Sequence, residues 1–156
     1  ECSRMKPVFE RLLPGAAVAS YRPIGAEIDP ASVEAQLAAA GHPLAYPRVD
    51  RADAPLSFRL APAPADWERG PHGITQPALT AAVVQPALIL VPLLGFTRAG
   101  ARLGQGGGYY DRTLAGLPHA LAVGVAWSVQ ERGDMPLETW DRPLDAIVTE
   151  QQWITP

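Results

Sequence analysis

A chain of 156 residues with 47% apolar and 19% charged residues has the make-up of an ordinary soluble globular protein, one domain long and able to bury a substantial core. A formal charge of −3 offers no basic field for nucleic acid, and the longest apolar run, about residues 87 to 96, is too short for a bilayer and holds Pro92. The lone Cys2 forms no internal disulfide, which fits a reducing cytoplasm.

Phe9, Leu12 and Leu13 have helical spacing and predict a helix that ends at Pro14-Gly15, with no secretory pattern in this stretch. Ala16 to Tyr21 reads as a strand of small residues packed on both faces. Arg22-Pro23-Ile24-Gly25 turns the chain and places Glu27 immediately after that strand. Asp29-Pro30 or Ser32 starts a helix that runs to about Ala40 and stops at Gly41. Leu44 to Tyr46 is a short second strand, and Leu56 to Leu60 alternates like a half-exposed one. Residues 61 to 78, rich in proline and holding Trp67 and His72, are expected to be irregular and functional.

The run at 87 to 92 reads as a buried strand, and 121 to 126 and 146 to 149 as two more, the last closing the fold. Apolar strands separated by helical stretches predict an α/β fold, three layers deep, with a mainly parallel central sheet. Ligands then gather beyond the C-terminal strand ends. There the reading places Glu27, the loop after residue 92, and Gln130. No repeat or domain boundary is visible over residues 1–156.

Arg102-Leu103-Gly104-Gln105-Gly106-Gly107-Gly108-Tyr109-Tyr110-Asp111-Arg112 stands where a strand gives way to a helix. Four glycines in five positions let the backbone fold tightly and aim several N–H groups at one anion. A helix from about Tyr109 adds unpaired amides and a positive dipole end, so a phosphate suits the loop. It is no Rossmann fingerprint, since the third glycine would fall on Tyr109, and no Lys-Ser/Thr follows as in a Walker loop.

This eleven-residue stretch, preceded by Val91-Pro92-Leu93-Leu94-Gly95-Phe96, closely resembles the 5-formyltetrahydrofolate cyclo-ligase family, over about Ala16 to Trp153. The resemblance implies a fold of the NagB/RpiA/CoA-transferase-like kind. It also implies an ATP- and magnesium-dependent ligase of one-carbon metabolism that turns 5-formyltetrahydrofolate into 5,10-methenyltetrahydrofolate. The expected partners are 5-formyltetrahydrofolate and MgATP, without nucleic acid or membrane, in a cytoplasmic monomer or weak homodimer.

Several side chains acquire roles from the same resemblance. Residues 102 to 111 would bind the ATP phosphates, with Gln105 at the loop's variable position. Asp111 would bind magnesium, because a carboxylate beside a polyphosphate needs a cation between them. Asp141 would be the second ligand, with Asp145 in reserve. Glu27, in its Tyr21-Arg22-Pro23-Ile24-Gly25-Ala26-Glu27 setting, would accept hydrogen bonds from the pterin ring. Phe58, Trp67, His72 and Tyr109 would wall the pterin and benzoyl rings, with core packing an equal reading for Phe58. Arg102 and Arg112 would pair with phosphate or with the glutamate tail. No side-chain nucleophile is required.

Members of the family open with a helix carrying Lys-x-x-x-Arg, a spacing that Lys6 and Arg11 do not have. That basic helix is therefore expected upstream of residue 1. Two rival readings stay open: a phosphate-ester or coenzyme A enzyme of similar fold, and a non-catalytic folate-binding relative.

Overall fold

The computed structural model describes residues 6–61, 63, 66–135 and 142–156. Its frame is an eight-stranded sheet whose central strands are the near-continuous apolar runs. β7 (Leu88–Pro92) lies between β10 (Leu121–Val125) and β1 (Val18–Ala19), and pairs in parallel with both. β2 (Leu44–Arg48) extends the parallel set beyond β1, and β11 (Ala146–Val148) extends it beyond β10. The edges are antiparallel: β3 (Ser57–Leu60) and then β6 (Val83–Val84) on one side, β12 (Trp153–Ile154) on the other. The mainly parallel α/β architecture expected from the sequence is therefore present. β12 is an addition, since residues 146 to 149 are not the last strand.

Side-chain parity divides the core into two layers. Val18, Leu88, Leu90, Leu121, Val123, Ala146 and Val148 share one face. Against it pack Val8 and Phe9 of α1 (Lys6–Phe9) and Val33 and Leu37 of α2 (Ala31–Ala39). Ala19, Ile89, Val91, Ala122 and Ile147 share the other face, covered by Leu114 of α3 (Tyr109–Gly116). Leu88, Ile89, Leu90 and Val91 are all fully buried, as a strand covered on both sides requires. The Asp29 side chain accepts the Ala31 N–H at 2.9 Å to start α2, and Gly41, at φ +91°, leaves it.

Two stretches depart from the sequence reading. Residues 61 to 78 contain a small antiparallel sheet, β4 (Trp67–Arg69) with β5 (Thr75–Pro77), rather than an irregular segment. Arg48 of β2, nearly buried, anchors it by donating to the Pro77 carbonyl at 2.8 Å and pairing with Glu68. The strand read at 87 to 92 is present as β7, but it does not hand the chain directly to the glycine loop and its helix. It breaks after Pro92, and β8 (Gly95–Phe96) turns back to pair with β9 (Arg102–Leu103) before the glycine loop begins.

The strand order β12-β11-β10-β7-β1-β2-β3-β6 reverses between β1 and β7. The chain builds outward from β1 through β2, returns to β7, and builds outward the other way. Such a reversal opens a crevice beyond the C-terminal strand ends, because the two following loops diverge. Those loops carry Arg22 and Glu27 on one side and the glycine stretch on the other.

Candidate functional site

The glycine stretch takes the shape its composition permits. Gly106, at φ +93°, and Gly108, at φ +70°, occupy the left-handed region that side chains disfavour. Gly108 sits directly before α3 with no side-chain cap, so the first-turn amides of Tyr109, Tyr110 and Asp111 precede the first helical bond, from Arg112 N–H to the Gly108 carbonyl at 3.1 Å. Arg112 braces the loop from below. Its Nη2 donates to the Gly107 carbonyl at 3.0 Å, its Nε to the Ala54 carbonyl at 3.3 Å, and its guanidinium lies 4.9 Å from the Tyr109 ring. These bonds make Arg112 a brace for the loop rather than a free anion ligand.

Asp111 projects from the first turn of α3, with its side chain 71% exposed, and pairs with Arg102, whose side chain is 8% exposed. Arg102 Nε is buried without a partner among the described residues. The arginine is thus held beneath the loop with bonding capacity to spare, and the carboxylate faces solvent.

Glu27 reaches the glycine loop across the crevice. One carboxylate oxygen accepts the Ile24 N–H at 2.8 Å, and the other lies 3.4 Å from the Gln105 side-chain nitrogen. Burial pushes the Glu27 carboxyl above its ordinary range, opposed by the Ile24 amide and by Gln105. Burial likewise raises the phenols of Tyr110 and Tyr21, and Glu27 adds to both shifts. The loop carrying Glu27 is clamped from the β10 side, where the Trp127 indole donates to the Ala26 carbonyl at 2.8 Å. Gln130, expected at this end, ties the strand exits together: it donates to the Leu93 carbonyl at 3.1 Å and accepts the Trp127 N–H at 2.8 Å.

The other face of the 22–27 loop forms one wall of an open cleft of about 650 Å³; His72, Gly73, Ile74 and Thr75 form the opposite wall. His72 holds a left-handed backbone, φ +59°, in the turn between β4 and β5. Behind this cleft Trp67 packs edge-on against Tyr46, centroids 5.2 Å apart, with the Arg22 guanidinium 4.2 Å from the Trp67 centroid.

The structure thus brings Glu27, Gln105, Tyr109 and Asp111 to one crevice, with Trp67 and His72 around the adjoining cleft. Phe58 is a correction: it is 2% exposed and belongs to the core beside Ala19, Ala45 and Ile89, so it is no ring wall. Asp145 is a second correction. Its carboxylate accepts the Ala122 N–H at 2.8 Å, where β10 begins, at the opposite end of the parallel strands. Asp141 lies outside the described residues. The sequence reading did not single out the Arg22 stack; Tyr-Arg-Pro directly after a strand was the available signal.

A mainly parallel α/β sheet whose ligand-facing crevice is floored by a glycine loop and a helix N-terminus defines the class. Within it, residues 11–150 match the model of the 5-formyltetrahydrofolate cyclo-ligase family. The chain belongs to that family. It is 32% identical over 142 residues to a 5-formyltetrahydrofolate cyclo-ligase of Mycolicibacterium smegmatis, covering 86% of this chain and 72% of the relative. A 64-residue segment is 45% identical to the enzyme of that name from Escherichia coli K12, covering 40% of this chain but only 35% of the relative. The NMR structure of Aquifex aeolicus 5,10-methenyltetrahydrofolate synthetase superposes with a TM-score of 0.76 at 33% identity, covering 96% of this chain and 75% of that one.

Proposed function

We propose that the protein converts 5-formyltetrahydrofolate into 5,10-methenyltetrahydrofolate at the expense of ATP, releasing ADP and phosphate. The observation that carries this reading is the Glu27–Gln105 approach at 3.4 Å, which brings a carboxylate acceptor against the glycine loop, as a pterin site beside a phosphate site requires. The reaction needs both in contact. A formamide oxygen is a very poor leaving group, so the cyclisation must first activate it. On this reading that oxygen attacks the γ-phosphorus of ATP and ADP leaves. N10 then closes on the formyl carbon, and the carbon–oxygen bond breaks to release phosphate.

The protein's share is position and charge. The half-buried Glu27 carboxylate holds pterin N–H groups. The amides of Gly107 to Asp111 hold the migrating phosphoryl group at the start of α3. The donor set fits magnesium: Asp111 is a solvent-facing carboxylate, and the described residues hold no cluster of three His, Cys, Asp or Glu side chains. A cation held there by one or two carboxylates would take its remaining ligands from phosphate and water, as suits magnesium. When bound it would neutralise charge between Asp111 and the phosphates, with Asp141 kept as the second candidate ligand. With a cation on Asp111, Arg102 would be free to donate to phosphate instead. This reading locates the reaction in the cytoplasm.

The test is a spectrophotometric assay for the methenyl product, run on the 156-residue chain and on the full-length product of its gene. Product is expected only with 5-formyltetrahydrofolate, ATP and magnesium together. Folate binding without turnover in the full-length protein would favour a non-catalytic relative. Phosphate-ester binding that ignores Asp111 would favour a different enzyme of this fold.

A further inference from the structure

Arg102 and Arg112, which flank the loop, are both engaged, one with Asp111 and the other with backbone carbonyls. Arg22 is not. It is exposed, lines the 650 Å³ cleft, and has no acidic partner among the described residues. It is nonetheless fixed: its guanidinium lies 4.2 Å from the Trp67 centroid and 5.2 Å from that of Tyr46. Those two rings are edge-on, and Tyr46 is buried, so the platform is rigid. Stacking occupies the flat face of a guanidinium and leaves its N–H edge for a planar, bidentate acceptor. The side chain's conformational freedom is already spent on the stack, so binding an anion costs little further ordering.

Arg22 and Glu27 also stand on opposite faces of one loop, five residues apart, with Pro23 stiffening it. Glu27 turns toward the glycine loop and Arg22 toward His72 and Thr75. A ligand that offers N–H donors at one end and a carboxylate at the other would find matching charge at both. Building on the folate reading above, we propose that Arg22 is the carboxylate-recognising residue of the cleft, and that it takes the glutamate end of the substrate. The cleft would then discriminate folates by their tails, a task separate from the chemistry at the glycine loop.

The experiment compares equilibrium binding of 5-formyltetrahydrofolate with that of 5-formyltetrahydropteroate, which lacks the glutamate, to the full-length protein. Arg22→Ala is expected to weaken the first by about tenfold, the size of one charge-assisted hydrogen bond, and the second by less than about twofold. Arg22→Lys, which keeps the charge but loses the planar fork, should fall between, and circular dichroism checks that both variants are folded. Equal weakening of the two folates, or no change in either, overturns the assignment. A selective loss of ATP affinity would overturn it too, by giving the anion to the nucleotide. If the unmodified protein forms methenyl product but Arg22 does not discriminate, this inference alone fails. If it binds neither folate, the functional reading fails with it.

Discussion

α3 carries an arginine–aspartate pair at each end, and the two pairs are built differently. At its C-terminal end Arg142 donates to the carbonyls of Leu114, Leu117 and Ala120, and Asp145, 3.6 Å away, accepts the Ala122 amide. Both charges there are bonded to backbone, so the pair ties the end of the helix to the start of β10. At the N-terminal end Asp111 has only Arg102 as its partner among the described residues, is 71% exposed, and sits beside uncapped amides. A carboxylate held by backbone is structural. One held by a single movable side chain can be handed to a ligand.

The comparison breaks most readily at the closed end. Arg142→Ala should cost about 2–3 kcal/mol, a fall in Tm of roughly 5–10 °C, because three charge-assisted bonds to the carbonyls of Leu114, Leu117 and Ala120 are lost together. Thermal unfolding checks this, and turnover measured well below the transition should stay near normal. Next in size is Gly108→Ala. A side chain at φ +70° costs about 1–2 kcal/mol, and the new Cβ would lie 2.7 Å from Arg112 Nη1, displacing the brace on Gly107. ATP affinity should fall more than folate affinity, which ligand titrations would show.

How much of this was legible follows from the same physics. The strands at 88–92 and 121–125 are buried on both faces, so composition alone betrays them. The glycine loop was legible because left-handed backbone at 106 and 108 leaves few residue types to choose from. Two-residue strands such as β8, β9 and β12 carry too little periodicity to be read. The β4–β5 pair hides among prolines, because it is anchored from outside by the Arg48 side chain. Phe58 and Leu60 alternate with polar neighbours like a half-exposed strand, yet β3 is covered on the Phe58 side by the core. The stack of Arg22 on Trp67 joins residues far apart in the chain, and no local pattern announces it.

The smallest effect concerns Glu27. Burial raises its carboxyl above the unfolded value, so the folded protein holds that proton more tightly and is relatively weakened as pH rises through the folded value. Glu27→Gln keeps the acceptor for the Ile24 amide and removes the charge. Its Tm should exceed the parent's by about 1–2 °C at neutral pH, with the gap closing toward about pH 4. Folate affinity should fall in the same variant. A lower Tm at neutral pH would contradict the assignment of Glu27 as a charge kept for a ligand.

The central claim is tested most directly by setting Asp111→Asn beside Asp145→Asn, measuring MgATP-dependent formation of the methenyl product and Tm on the same samples. The account predicts that Asp111→Asn lowers turnover by well over about tenfold with folate binding and Tm nearly intact. It predicts that Asp145→Asn, which keeps an acceptor for the Ala122 amide but loses the charge facing Arg142, lowers Tm through about 1 kcal/mol, with turnover of the folded protein preserved. Equal loss of turnover in both, or loss of folate binding together with turnover in Asp111→Asn, would contradict it.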